Sequence, residues 1–192
     1  MWGAQPLLIT TATNGLHCEK DKLLAVALVN PETGIRDLFF HDTHGQELIE
    51  AQKYHCITEE VMNTWGRSTE AFTLLVEEAL KDKVLLTYNP QFQYGFLSNL
   101  LQDPSLVLYD LSVIEQALRK GLKFDEEEIA TPGKFYSACS TVYYPLAVNT
   151  ICKNLKMTKQ PSPGQLPLER SLEILQRLYN EASSKELQLL QS

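Results

Sequence analysis

No apolar run in this chain approaches the ~20 residues that a membrane-crossing helix requires, and its first residues lack the basic, apolar, small-residue layout of a secretory signal. Membrane insertion is thereby excluded, and a cytoplasmic location is expected. Cysteine is sparse: Cys18, Cys56, Cys139 and Cys152 lie far apart and form no CxxC pair, which excludes a zinc ribbon and a disulfide framework and points to reduced thiols. Basic residues are the minority, 17 Lys and Arg against 24 Asp and Glu, for a net charge of -7. A surface of that sign repels polyanions as a whole, although a local basic groove stays open.

Histidine offers no metal pattern either. His41, Asp42, Thr43 and His44, with His55 further on, follow no zinc spacing, so they read as surface or capping groups. Cys139 has no base beside it, only Tyr136 and Ser140 nearby, and reads as an ordinary buried or loop thiol.

What is present is a 192-residue chain with 44% hydrophobic composition, enough for one core and one domain, placed at residues 1–184 with a flexible tail at 185–192. After a short apolar run at Leu7 to Ile9, Lys22 to Asn30 reads as a strand, Asn30 to Gly34 as a reversing turn, and Ile35 to Phe40 as the returning strand. A short helix is expected near Glu47 to Lys53. Thr58, followed by Glu59 and Glu60, opens another, and Ser68 opens a third with an apolar stripe at Ala71, Phe72, Leu75, Val76, Ala79 and Leu80. Val84 to Thr87 and Leu106 to Tyr109 are short buried strands, each followed by a helix. Strands alternating with helices imply parallel pairing after an antiparallel start.

Residues Gly121 to Val142 carry an acidic run, Asp125 to Glu128, and a Thr131-Pro132-Gly133 turn, and read first as an acidic solvated loop, with an ordered flap as the alternative. Pro145 to Lys156 returns to helix, and Pro167 starts a final helix that frays from about Ser183.

Four segments share an order with one enzyme family. Leu7-Leu8-Ile9 followed by Thr10, Thr11, Ala12, Thr13, Asn14, Gly15 and Leu16 resembles the first motif of the DEDD (DnaQ-like) 3′-5′ exonucleases, of the polymerase III epsilon proofreading type, where the order is Asp, any residue, Glu, two small polar residues, Gly and an apolar residue. Tyr54 to Val61 resembles the family's His-Gly-Ile-Thr-x-Glu, with Cys56 in place of Gly. Tyr88-Asn89-Pro90-Gln91-Phe92-Gln93 is similar to His-Asn-Ala-x-Phe-Asp, and Gln165 to Ser171 to His-Arg-Ala-Leu-x-Asp-Ala. The helix Tyr144 to Met157 also resembles the family's Tyr-x-Leu…Leu-Cys-x-x-Leu-x-Ile segment, which supports that register.

The resemblance implies an α/β, ribonuclease-H-like mixed sheet of about five strands flanked by helices, with the first three strands antiparallel. It also implies a two-ion reaction with Mg²⁺ or Mn²⁺ held about 4 Å apart on carboxylates. Here those positions carry Thr10, Ala12, Gln93 and Arg170, and the family's general-base His is Gln165. The expectation is therefore a degenerate exonuclease without metal cofactor, acting as a protein-interaction or regulatory module. Its partner would be a polymerase or repair component, or a second copy of itself. The alternatives are a residual exonuclease on single-stranded DNA or RNA using noncanonical ligands such as Glu169, and a non-cleaving nucleic-acid binder in which Lys53, Lys134 and Arg170 cluster. Arg170 could hold a phosphate where metal is lost.

Overall fold

In the computed structural model, which describes residues 5–43, 45, 49, 51–122, 127 and 131–190, the chain opens with three antiparallel strands. They are β1 (Pro6–Thr13), β2 (Leu23–Val29) and β3 (Arg36–His41). The β2–β3 turn closes because the Asn30 side-chain oxygen accepts from the amides of Glu32 and Thr33, and Gly34 takes the left-handed φ of 74° that the reversal needs.

Two helices follow, α1 (Gln52–His55) and α2 (Glu59–Trp65). Thr58 caps α2 as its sequence predicts, its hydroxyl accepting from the Val61 amide at 3.2 Å. A two-residue strand, β4 (Gly66–Arg67), runs parallel to the end of β3. Ser68 then caps α3 (Thr69–Leu80). The remaining elements are β5 (Val84–Thr87), α4 (Pro90–Leu101), β6 (Leu108–Asp110), α5 (Leu111–Arg119), α6 (Pro132–Ser140), α7 (Val148–Leu155) and α8 (Pro167–Leu190).

The sheet order is β4-β3-β2-β1-β5-β6, with β5 and β6 added parallel to β1. β2 is buried along its whole length, as a central strand covered on both faces must be. One face packs Leu8, Ala12, Ala25 and Ala27 against Leu168, Leu172 and Leu175 of α8 and the apolar side of α5. The other packs Leu7, Ile9 and Val26 against Phe72 and Val76 of α3 and Phe96 and Leu97 of α4. A mixed sheet with helices on both sides is the expected class, with six strands rather than about five; a two-residue strand is too short to leave a pattern.

Three local expectations change. The stripe on α3 narrows to Phe72, Val76 and Leu80, while Leu75 stays 40% exposed. Residues 132–140 form a helix rather than solvated loop: Pro132 occupies its first turn, where a missing N–H is harmless, and Phe135 and Cys139, four apart, are fully buried. The last helix runs on past Ser183. It continues to Leu190 because Leu178, Ala182 and Glu186 keep the four-residue spacing and stay buried. Most of the short helix expected at 47–53 lies outside the described residues.

Candidate functional site

Side chains alternate along β1, so Thr10 and Ala12 share the face of Leu8 under α8, and Thr11 shares that of Leu7 and Ile9 under α4. Thr10 is 3% and Ala12 8% exposed. Pro90 sits at the first turn of α4 and aims its start at the end of β1. There the Thr11 hydroxyl donates to Gln93 Oε1 at 2.6 Å, and Gln93 is buried. The amide at the position of the family's Asp thus spends its acceptor on a neighbouring threonine. Sequence reading does not find Thr11, since it occupies the unspecified place between the two ligand positions.

The third segment folds as a cap on its own helix. Glu169 lies in the first turn of α8, and its carboxylate accepts from the Leu166 amide at 2.8 Å, one half of a capping box. Gln165 accepts from the Ser162 amide at 3.0 Å and donates to Glu173 at 2.8 Å. Arg170 sends Nε and Nη2 to the Thr158 carbonyl at 3.0 and 2.9 Å, and Nη1 to Glu173 at 2.7 Å. The guanidinium fork, which could otherwise grip a phosphate, is engaged with the loop before α8. From the next position Ser171 hydrogen-bonds Tyr88, whose phenol is raised chiefly by burial despite that bond.

The frame around these residues is intact. A Cβ on Gly15 would meet the Asp21 carboxylate, which would have to move away from the turn after β1. Cys56 adopts φ 58°, the left-handed region that favours glycine, which explains in backbone terms why the family pattern has Gly at that place. Leu16, Cys18, Phe92 and Phe96 line a cavity of about 280 Å³ beside the turn.

The residues present do not fit a divalent cation of the family's kind. Thr10, Ala12, Gln93 and Arg170 offer a hydroxyl, a methyl, an amide and a guanidinium, whereas hard cations require anionic oxygen. Among the described residues, no three His, Cys, Asp or Glu side chains are grouped to hold a metal ion. Glu169 is committed to its cap, and Glu127 lies 3.6 Å from Lys134; Asp125, Glu126 and Glu128 are outside the described residues. Lys53 covers the ring of Tyr54 at 4.9 Å, so Lys53, Lys134 and Arg170 are each held in a separate local pair. His41 is structural: Nδ1 lies 2.8 Å from the Leu23 carbonyl, Nε2 lies 2.9 Å from the Thr69 hydroxyl, and the ring stacks on Phe72. His55 accepts from the Ile57 amide; His44 is outside the described residues. Burial pushes the Cys139 thiol up to about 12, which keeps it protonated and unreactive.

One carboxylate near the strand ends is buried. Asp110 caps α5 through Oδ1, which accepts from the Ser112 amide at 2.8 Å and the Val113 amide at 3.3 Å. Its Oδ2, like the hydroxyl of Thr87 opposite it in the β5–β6 register, has no hydrogen-bond partner among the described residues. Desolvation raises its pKa despite the capping bonds. A carboxyl raised on folding binds protons more tightly in the native state, so its contribution falls as pH rises from the unfolded value through the raised one. Asp110→Asn is expected to keep the cap and remove that fall. In urea titrations at several pH values, the variant should gain on the wild type as pH rises through the acid range; parallel curves would contradict the buried charge.

No family model matches the chain, and no curated protein matches it. Solved structures do. E. coli exonuclease I in complex with a dT13 oligonucleotide superposes with a TM-score of 0.65 at 13% identity, over 96% of this chain and 42% of that one. A product-bound exonuclease I gives 0.63 at 16% identity, over 95% and 44%. A complex of exonuclease I with an SSB-Ct partner gives 0.57 at 16%, over 96% and 43%. The chain therefore spans less than half the length of these structures, and what they share with it is the DEDD-like exonuclease fold.

Proposed function

We propose that this protein is an exonuclease fold that has left catalysis and serves as a protein-interaction or regulatory module, linked to DNA replication or repair. The observation that supports the reading is that Thr10, Ala12, Gln93 and Arg170, at the four positions where the resemblance expects metal ligands, include no carboxylate. Two dications about 4 Å apart would find no carboxylate at Thr10, Ala12, Gln93 or Arg170 to offset their charge. The net charge of -7 favours a protein partner over a polyanion.

The test uses single-stranded DNA and its RNA counterpart, each labelled at the 5′ end, with the protein at low salt and excess Mn²⁺. Fluorescence anisotropy is expected not to decline with time, and millimolar Mg²⁺ or Mn²⁺ is expected to leave the melting temperature unchanged. A steady decline, or an ion-specific rise in melting temperature, would overturn the loss of catalysis. A constant rise on mixing would instead mark the cleft, with its Leu16 and Phe92 cavity, as a site that binds strands without cutting them.

A further inference from the structure

At the opposite end of the sheet from the cleft, α3 and α4 both finish just before the strands they feed, β5 and β6. Between their ends lies a groove of about 560 Å³. Its apolar lining is Leu74, Leu80, Leu101 and Leu106, and Leu74 is 65% exposed although it stands on a helix with a well-filled core side. Around these leucines stand Glu77, Glu78, Asp82 and Asp103, against a single cation, Lys81.

The electrostatics of the groove run against helix stability. Helix C-termini carry partial negative charge and ordinarily attract Lys or Arg into the last turn. Neither α3 nor α4 has a basic residue there, and α3 places Glu77 and Glu78 in that turn instead. Among the described residues, the carboxylates of Glu77, Glu78 and Asp82 make no ion pair within the chain. Two negative helix ends and four carboxylates therefore converge on one apolar groove, with Lys81 as the one cation in its lining and Asp103 alone held by hydrogen bonds, from Ser105.

We propose that this groove docks a basic, apolar-faced segment of a partner protein, with leucine-like side chains on the groove floor and Lys or Arg on its rim. Charge complementarity selects this occupant: a second copy of the chain would bring the same negative sign to the contact, and nucleic acid would be repelled. The inference rests on the reading of the chain as a protein-binding module and gives that reading a surface. Exposed ion pairs of this kind are screened by salt, so binding should weaken as ionic strength rises.

The experiment is fluorescence polarisation with a labelled amphipathic helical peptide whose apolar positions are Leu and whose remaining positions are Lys. Matched peptides carry Glu for Lys, or Ser for Leu. The Leu/Lys peptide should bind the full chain at low salt and the two matched peptides should not. Glu77→Lys with Glu78→Lys should weaken binding by about tenfold or more, equivalent to about 1.4 kcal/mol, and Leu74→Ser should weaken it comparably. Glu32→Lys with Asp37→Lys, an equal charge change on the exposed β2–β3 side, should leave it intact. Equal loss in both charge variants would reduce the effect to net charge and overturn the site, as would binding of the Glu peptide. Sedimentation showing dimers that Leu74→Ser dissolves would assign the groove to a second copy. If the labelled strands are degraded while the peptide result holds, the module reading fails and the groove stands. If peptide binding fails and the strands stay intact, the groove fails and the module reading stands.

Discussion

Ala12→Glu, which places a carboxylate where the family resemblance expects a glutamate, should destabilise the protein by about 3 kcal/mol or more rather than move it toward activity. Ala12 is packed into the core cluster that joins β1 to α8, and only 8% of it is exposed. A longer side chain there overpacks the interface, at a cost of about 1–3 kcal/mol. A charge without a partner adds a desolvation penalty of comparable or larger size. The neighbours that share a metal's charge in the family are absent: Thr10 is a hydroxyl and Gln93 is bonded to Thr11. Urea denaturation with and without Mn²⁺ measures both parts of the claim. A variant as stable as the wild type whose melting temperature climbs with Mn²⁺ would mean that the pocket is open and nearly functional.

Phe135→Ala should cost about 3–5 kcal/mol, the range for removing a fully buried aromatic side chain. Phe135 is 0% exposed on α6 and packs into the main core with Cys139. Near it, Tyr136 meets Tyr109 of β6 edge-on at 5.2 Å between ring centroids, so α6 also ties down the sheet edge. The same substitution in a solvated loop would change stability by less than about 0.5 kcal/mol. The chemical denaturation midpoint thus decides between an ordered helix and a surface excursion, and a near-neutral result would return residues 132–140 to the loop class.

These two residues also mark where sequence reading succeeds and where it stops. The frame of the cleft is legible because its parts are punctuated: Gly15 at the turn after β1, Thr58 and Ser68 as caps, and Pro90 and Pro167 at helix starts each leave a local physical signature. The ligand positions are then set by spacing within those segments. Helix α6 is not legible because Pro132-Gly133 looks like a turn, and only Phe135 and Cys139 are fully buried in the helix behind it. Its stability comes from packing on α5 and the core, which no local window contains. The Thr11–Gln93 bond joins residues 82 positions apart and depends on where α4 lands, so spacing alone cannot supply it. The length of α8 is missed for a related reason: Ser183, Ser184 and Lys185 weaken the apolar stripe, and burial at Ala182 and Glu186 maintains it.

The central place of β1 has a consequence for the order in which the protein can be built. Its inner neighbour β2 arrives at once through the β1–β2 connection. On its other side Pro6 must wait for Val84 and Leu8 for Leu86, and its face toward Ala12 is not covered until Leu168 and Leu172 are made. During synthesis β1 therefore stays paired on one side only until β5 has been made, because non-local partners impose a loop-closure delay. The three-stranded meander can form early on one flank. The closing event belongs to α8, whose Leu168 and Leu172 meet β1 only through contacts between residues far apart in the chain.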